Sequence, residues 1–561
     1  MSRFSFRSAW AAGLVLVAAC GDGGTEPPPG AADCSSPTLV TLAVGQHQVL
    51  DATAGNGCLT LPAAGSESVY LMGLVSGSGT VTDNGVSGTY AFRTGAEGAF
   101  GGGNPSIGFS EALPRQRLPG LPEQFHRALR QRERVLAADP RNRIQTTLAP
   151  RILAPPPVEG STRDFAVCTN TNCDAFDTVT AVARAVGTHV AVYLDSEVPT
   201  ADSLRQADLD ELQLLFDDYH YTIGTDAFGS ESDLDNNDVV IILLTDAVNA
   251  LTPDCSNGRI LGYFYGGDLL DVEGSNHSEV FYAMVPAPST PTCSAAPRAE
   301  TLIRLKPTLI HEFQHMISFN QHVLVRNGGV EETWLNEALS HFSEELGGRL
   351  IPNERCPGSP SCRSQYVSGD LLNAWDYMSN TEAHHLVMPD ESTGTLEERG
   401  AGWLFLTWLV DQFGTTPNGS NVTLGLVQTN RVGVTNVTAV TGQTFPTLVG
   451  EWFLALYVDD LTGFTPASPR LTFESWGLRT IFLNNCCAPN SPFPTAFPFT
   501  PVNATSSNFQ RTGTLRGGSG RHFLATIPGG ATGIDVLISK APDGPVLDAA
   551  LESRIAIVRL Q

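Results

Sequence analysis

Two histidines one helical turn apart, with a glutamate beside the first, constrain this chain more than any other feature of its sequence. His311, Glu312 and His315 form the pattern His-Glu-x-x-His, with apolar residues on both sides. Because side chains four residues apart share one face of an α-helix, both imidazoles can reach one metal ion about 2 Å away. The carboxylate of Glu312 then lies beside that ion. The pattern predicts a helix that presents two zinc ligands and a catalytic base.

A catalytic zinc ion also needs a third protein ligand and an open position. One extension of the pattern places Gly three residues and His six residues after the second histidine, but this chain has Ser318 and Gln321 there. The other extension takes a glutamate from a second helix. Glu337 follows His315 by 22 residues, within the string Asn-Glu-x-x-Ser. We therefore expect Glu337 to be the third ligand.

This arrangement resembles that of the gluzincins, the class of zinc peptidases that includes thermolysin. The strings at 311–317 and 332–346 look most like those of the hyicolysin family of neutral metallopeptidases. The resemblance is looser elsewhere and covers most of 164–480. It implies an α+β zincin-type domain with one catalytic Zn²⁺, which hydrolyses peptide bonds in protein or peptide substrates. The implied role of Glu312 is to take a proton from water and to pass it to the leaving amine.

One position departs from the pattern of thermolysin, which has an aspartate four residues after its glutamate ligand to orient the first histidine. Here that position is His341, so Glu344 or Glu345, one turn further on, is expected to orient His311. Gluzincins also use a later Tyr or His to stabilise the oxyanion. The candidates, each of which can equally be a packing or surface residue, are Tyr366, Tyr377, His384 and His385.

An Asp- and Asn-rich string precedes an apolar segment of the central region. Asp233, Asp235 and Asn237 offer oxygen ligands at alternate positions, as at the start of a calcium-binding loop. The loop pattern is incomplete, because the sixth position lacks Gly and the twelfth is Leu244. Two interpretations stay open, a Ca²⁺ site and a simple polar turn.

The N-terminus predicts export. Arg3 and Arg7 precede an apolar run at 9–19 that is too short to span a bilayer and is typical of a signal peptide. The run ends in Val-Ala-Ala-Cys, which resembles a bacterial lipobox, so Cys20 is the expected site of lipidation. The alternative is an ordinary secretory signal with an incidental cysteine. We expect a protein anchored to the bacterial envelope only by its N-terminal lipid, or released.

The cysteine count agrees with an oxidising compartment. Ten cysteines remain after Cys20, and an even number in an exported protein favours disulfides. The expected pairs are Cys34 with Cys58, Cys168 with Cys173, Cys255 with Cys293, and Cys356 with Cys362, and the adjacent Cys486 and Cys487 are left unassigned. The formal charge of −25 argues against nucleic acid as a partner, because phosphate binding needs a basic face.

A chain of 561 residues is too long for one core, so several domains are expected. Short apolar runs between Gly and Ser predict β-sandwich-like domains at both ends. The expected order is a signal peptide (1–20), a tether (21–33), an N-terminal all-β domain (34–120), a basic helical connector with a Pro-rich linker (121–163), the peptidase domain (164–480) and a C-terminal all-β domain (481–561).

Two further questions stay open from the sequence. The basic connector is either a solvated link or an inhibitory, processed pro-segment, since exposed Arg-rich links are readily nicked. The zinc domain is either an endopeptidase, a hydrolase of a narrow substrate such as a cell-wall peptide, or an inactive module in a surface adhesin. The intact Glu312 argues against the last, because a carboxylate there is not needed to hold zinc.

Overall fold

Strands from the two ends of the chain pair with one another. The computed structural model describes residues 30–63, 65–100, 120–143, 155–198, 203–390, 394–489, 491–504 and 509–561. The strands are β1 (Thr38–Leu39), β2 (His47–Asp51), β3 (Cys58–Pro62), β4 (Ser68–Val75), β5 (Ser87–Ala96), β6 (Thr162–Cys168), β7 (Phe176–Val186), β8 (Val190–Asp195), β9 (Val240–Leu244), β10 (Gly262–Phe264), β11 (Val280–Ala283), β12 (Val502–Asn503), β13 (Phe509–Arg516), β14 (Gly520–Ile527), β15 (Gly533–Ser539) and β16 (Arg554–Arg559).

The terminal strands build one sandwich of two five-stranded sheets, with the orders β1-β3-β15-β5-β13 and β12-β14-β4-β16-β2. β5 lies between two C-terminal strands, and β4 lies between two others. The ring of Phe92 on β5 stacks on that of Phe523 on β14 across the core, at 3.8 Å between centroids. The prediction of separate all-β domains at 34–120 and 481–561 is therefore wrong. The N-terminal strands alone would leave backbone N–H and C=O groups unpaired at the sheet edges, and the C-terminal strands pair with these groups.

The third sheet forms the core of the central region, with the order β10-β11-β9-β8-β7-β6. β9 is buried along its whole length, as its unbroken Val, Ile and Leu sequence predicts for a strand covered on both faces. β8, β9 and β11 run parallel, whereas β10 pairs antiparallel to β11. β10 is one of the two edge strands, and no strand of the described residues pairs with its outer side.

Helices cover this sheet and carry the site. They are α1 (Leu121–Ala138), α2 (Gln206–Leu215), α3 (Tyr221–Phe228), α4 (Asp246–Ala250), α5 (Arg298–Phe319), α6 (Thr333–Leu350), α7 (Cys362–Ser379), α8 (Leu396–Phe413), α9 (Ser420–Val427), α10 (Gly433–Thr441), α11 (Phe445–Val458) and α12 (Leu478–Asn485). α5 packs on β10 and β11, and α6 lies against α5, α7 and α8. Within the described residues, none of the helices is both long and apolar enough to cross a bilayer.

The sandwich packs on the helices. α11 contacts β4 and β16, and the ring Nε2 of His522 on β14 lies 2.6 Å from the carbonyl oxygen of Phe453. The hydroxyls of Tyr377 on α7 and Ser519 are 2.9 Å apart in a buried contact. The strands from the two ends of the chain thus form one sandwich, against which α7 and α11 pack.

Five disulfide bonds join cysteines of the described residues. The four pairs expected from their spacing are confirmed, and the adjacent Cys486 and Cys487 are bonded to each other. Cys20 and the signal segment lie outside the described residues.

Replacement of Phe523 by Ala tests the shared sandwich core. This fully buried ring stacks on a residue from the opposite end of the chain, so its loss should destabilise the sandwich by about 3–5 kcal/mol. Denaturant unfolding followed by far-UV circular dichroism measures this, with Leu39→Ala, 67 % exposed, as the control. Equal, small losses in both variants would contradict a core shared by the two ends.

Candidate metal centre

The first half of the site lies on α5, whose C-terminal half is buried throughout. Leu309, Phe313 and Ile317 pack into the core at helical spacing, which turns the opposite face toward a cavity. His311 and His315 share that second face, with ring centroids 4.9 Å apart. The helix predicted around the His-Glu-x-x-His pattern is therefore present.

α6 brings the second half of the site. It packs along α5 and places the Glu337 carboxylate 3.6 Å from Nε2 of His311 and 3.7 Å from Nε2 of His315. Donor atoms about 2.0–2.2 Å from a tetrahedral zinc ion lie about 3.3–3.6 Å from one another. The three side chains thus converge with the spacing of a zinc ligand set.

Buried polar atoms without hydrogen bonds support metal binding at this point. Among the described residues, Nε2 of His315 and Oε1 of Glu337 are buried without a hydrogen bond, and Oε2 of Glu337 has an ion-pair contact with Arg399 but no hydrogen bond of good geometry. Such atoms are rare in folded proteins because each costs free energy. A cation held between the three side chains would satisfy all of them, so the residues present fit a Zn²⁺ ion.

Each histidine is oriented by a residue of α6. Nδ1 of His311 lies 2.7 Å from the carboxylate of Glu344, and Nδ1 of His315 lies 3.1 Å from Oγ of Ser340. Ser340 donates its hydroxyl proton to Gln314 Oε1, so its oxygen is available to accept from His315. When Nδ1 carries the proton, Nε2 keeps the lone pair that a metal ion needs. Both imidazoles are therefore held in the metal-binding tautomer.

Of the two carboxylates proposed to orient His311, the structure brings only Glu344 to it. The carboxylate of Glu345 accepts hydrogen bonds from the indole N–H groups of Trp403 and Trp476 and from the hydroxyl of Thr407. Glu345 therefore ties α6 to α8, and within the described part of the chain it makes no hydrogen bond to the candidate metal ligands.

Three contributors to the site were not predicted. Arg399 on α8 lies 3.0 Å from the Glu337 carboxylate, and His341 on α6 lies 2.8 Å from Asp370 on α7. Burial would raise the pKa of Glu337, but Arg399 and His311 hold this pKa well below its usual value. The sequence gives no signal for these contacts, because each joins residues of different helices.

Glu312 faces the same cavity and is held by the edge strand. The backbone N–H of Phe264 on β10 donates to its Oε2 at 2.8 Å. Burial raises the pKa of this carboxyl, since its side chain is almost completely removed from water. A raised pKa brings a carboxylate closer to the strength needed for a base near neutral pH.

The cavity beside the site has a volume of about 520 Å³. Among the proposed oxyanion donors, Tyr366 lines it, but its hydroxyl is 2.8 Å from Nε2 of His220. Tyr377, His384 and His385 are not among the lining residues. Tyr377 contacts the sandwich, and His385 lies 3.0 Å from Glu398. His341 does line the cavity, and sequence reasoning did not select it as a donor.

The proposed calcium ligands are only partly brought together. Oxygens of Asp233 and Asp235 lie close to a carboxylate oxygen of Glu279, all within 4.8 Å of one another. The side-chain oxygen of Asn237 instead accepts from the N–H of Val239 within its own turn. Calcium binding at these residues stays a prediction.

The chain is similar to a known protease. Over 207 residues it is 34 % identical to the neutral metalloprotease ShpI of Staphylococcus hyicus. The match covers 36 % of this chain and 41 % of that protein, so the chain spans about two fifths of the relative's length. No protein-family model matches the chain. The similarity establishes a relationship to a metallopeptidase.

Replacement of Glu344 by Gln tests its role as the residue that orients His311. An amide at this position weakens the hold on Nδ1, so zinc affinity should fall by about 10–100-fold. Competition with a chromogenic zinc chelator measures the change. The control is Glu354→Gln, an exposed glutamate just beyond α6, which should bind zinc as the wild type does. Unchanged affinity in Glu344→Gln would show that Glu344 does not position the ligand.

Proposed function

We propose that the chain is a zinc-dependent metalloendopeptidase with a zincin-type catalytic domain of the gluzincin class, similar to the hyicolysins. The observation that carries this proposal is the convergence of His311, His315 and Glu337 beside a cavity. The relationship to a neutral metalloprotease supports the same activity. The spacing of the ligands on two successive helices supports the gluzincin class.

Zn²⁺ held by these three residues would supply a Lewis acid that polarises the scissile carbonyl. Glu312 takes a proton from the attacking water and later returns it to the leaving amine. The N–H of Phe264 fixes one carboxylate oxygen of Glu312, which leaves the other for the proton. Glu344 and Ser340 keep the two imidazoles in place throughout.

The cavity supports a peptide substrate. In addition to the proposed metal ligand His311, charged side chains line the cavity, including those of Arg259, Glu300 and Arg304. A buried, hydrogen-bonded Glu312 is not required in a module that only holds zinc, since the ion needs no second carboxylate beside Glu337. We therefore favour an endopeptidase over an inactive adhesin module.

We also propose that the protein is exported and anchored through a lipid on Cys20. The support comes from the sequence around Cys20 and from the disulfide bonds of the described residues, which suit an oxidising compartment. The anchor is expected to be the protein's only contact with the membrane of a bacterial envelope.

Replacement of Glu312 by Gln tests the catalytic assignment. The amide cannot accept the proton, so hydrolysis of denatured casein should fall by about 10²–10⁴-fold while zinc content stays at about one ion per chain. Metal analysis and initial rates on the same preparation measure both quantities. A companion variant, His315→Ala, should lose the metal as well. Full activity in Glu312→Gln would contradict the assigned role, and zinc-loaded wild type that cleaves no protein or peptide would favour the narrow-substrate or adhesin alternatives.

Replacement of Cys20 by Ser tests the lipid anchor. A serine cannot form the thioether to lipid, so full-length protein expressed in a bacterial host should move from the detergent-soluble membrane fraction to the aqueous fraction. Fractionation followed by immunoblotting measures the shift. Equal distribution of the two forms would indicate an ordinary secretory signal.

A further inference from the structure

The tyrosines and histidines expected to stabilise the oxyanion are not placed to do so. Hydrolysis of a peptide bond puts negative charge on the oxygen of the scissile carbonyl, and a fixed donor about 2.7–3.1 Å from that oxygen lowers the barrier. The hydroxyl of Tyr366 lies against His220. Tyr377, His384 and His385 are not among the described residues that line the cavity. A protein donor for this oxygen therefore comes from elsewhere in the cavity wall.

Arg399 reaches the cavity from a position near the N-terminus of α8. Its Nη1 lies 3.0 Å from Oε2 of Glu337, the proposed third metal ligand, and its side chain is only 11 % exposed. The same side chain lines the cavity together with His311 and Glu312. The guanidinium is therefore in contact with the ligand set and borders the space that a substrate would enter.

Only part of this guanidinium is engaged within the described residues. Nη1 faces Glu337, and Nε donates to the carbonyl oxygen of Gly394 at 3.4 Å. Neither contact uses Nη2 of Arg399, and the described part of the chain gives that nitrogen no partner. A guanidinium carries five N–H groups in a planar fork, so one nitrogen can hold a carboxylate while another donates to a second oxygen. The free side of the fork is available to an oxygen in the cavity.

Other donors of the cavity wall are engaged away from Glu337. Arg259 and Gln365 each donate to a backbone carbonyl oxygen. Arg304 is paired within its own helix, with a residue four positions away. Nδ1 of His341 lies against two carboxylates, at 3.0 Å and 2.8 Å. Among the described residues that line the cavity, Arg399 is thus the one whose cationic side chain contacts the third ligand.

His126 also lines the cavity, but it is a weaker candidate for stabilising negative charge. Burial, and then the charge of Arg399, lower the pKa of His126 well below its usual value. Its imidazole is therefore neutral near neutral pH. Hydrogen bonds from a charged donor are about twice as strong as those from a neutral one. The permanently charged guanidinium is the better match to a developing oxyanion.

The packing of α8 fixes the position of Arg399. The next residue, Gly400, lies so close to α7 that a Cβ there would come within 2.3 Å of the backbone of Asn373. At the N-terminus of α8, the hydroxyl of Thr395 accepts from the N–H of Glu398 in a reciprocal cap. A donor that is held in place before the reaction needs little reorganisation when charge develops, which is the condition for strong electrostatic stabilisation.

We propose that Arg399 is a catalytic residue, which donates a hydrogen bond to the oxygen of the scissile carbonyl while it also holds Glu337. The inference rests on the proposed peptidase function. Water adds to the carbonyl carbon as Glu312 takes its proton, and the carbonyl π electrons move onto the oxygen, where Arg399 stabilises the charge. When Glu312 returns the proton to the amine and the C–N bond breaks, the carbonyl re-forms. The guanidinium stays protonated throughout.

A matched pair of inhibitors tests this role on the zinc-loaded protein without hydrolysis. A phosphinic peptide carries an anionic oxygen where the oxyanion forms, whereas a thiol with the same peptide side chains binds zinc through sulfur alone. Isothermal titration calorimetry at saturating zinc measures both Kd values. In Arg399→Met, the Kd of the phosphinic peptide should rise by about 10²-fold, and that of the thiol should stay nearly unchanged. Arg141→Met, at an arginine that is 89 % exposed, should change neither Kd.

A second variant covers the contact of Arg399 with Glu337. Arg399→Lys keeps a cation beside that carboxylate, so zinc content should stay at about one ion per chain. It lacks the planar fork, so casein hydrolysis and phosphinic-peptide affinity should each fall by at least about 10-fold. In Arg399→Met, hydrolysis should fall by about 10²–10³-fold.

The two inhibitors also separate this inference from the proposed function. In an active wild type, equal losses of affinity for both inhibitors in both variants would give Arg399 a purely structural role and overturn the inference. Unchanged phosphinic-peptide affinity in both variants would overturn it as well. A zinc-loaded wild type that cleaves no protein or peptide and binds neither inhibitor would contradict the proposed function, and the inference with it.

Discussion

The burial of several charges between α5 and α6 is the constraint on which the rest of the structure depends. An ion taken out of water costs several kcal/mol unless a partner or a metal compensates it. His311 lies between the carboxylates of Glu337 and Glu344, and Arg399 reaches Glu337 from α8. Because Arg399 compensates the buried charge of Glu337, α8 must lie against α6 in a single register. Glu345 fixes that register through hydrogen bonds to groups of α8.

The edge strand links this charged interface to the cleft. Phe264 uses its N–H to hold Glu312 and its carbonyl oxygen to accept from Arg130. One residue of β10 therefore contacts both the proposed base and α1, which forms part of the cavity wall. Among the described residues no strand pairs with the outer side of β10, where a further strand would displace both contacts.

The site was predictable from the sequence to the extent that its geometry is local. The spacing of His311 and His315 is a property of one helix, and Glu337 follows within a fixed distance, so a pattern identifies all three. The residue that orients His311 could be narrowed to two candidates, Glu344 and Glu345. Both lie about one helical turn beyond position 341, where the resemblance predicts a carboxylate. Arg399 could not be found, because its contact with Glu337 spans 62 residues and leaves no periodic signal.

The fold was also predictable from the sequence only in its local features. Alternation and turn residues predicted β-structure at both ends of the chain, but strand partners are not encoded in the period of a strand. β5 and β13 are more than 400 residues apart in the sequence and pair over eight positions. The helix in the connector was also expected, yet its placement beside the cleft depends on contacts of Arg130 with Phe264 on β10 and of Glu133 with Gly266 just beyond that strand. Such contacts appear only when the chain is folded.

The surroundings of His341 show how His311, a proposed metal ligand, is supported from behind. His341 occupies the position at which the resemblance to thermolysin predicts a carboxylate, and the carboxylate that contacts His311 lies three residues later, at Glu344. Asp370 then lies close to Glu344, and burial together with Glu344 raises the pKa of Asp370 to about 7. Nδ1 of His341 lies 3.0 Å from the carboxylate of Glu344 and 2.8 Å from that of Asp370. Burial opposes its charge, yet Asp370 and Glu344 raise its pKa to about 10. His341 therefore favours the charged forms of the two buried carboxyl groups that lie side by side behind the proposed metal site.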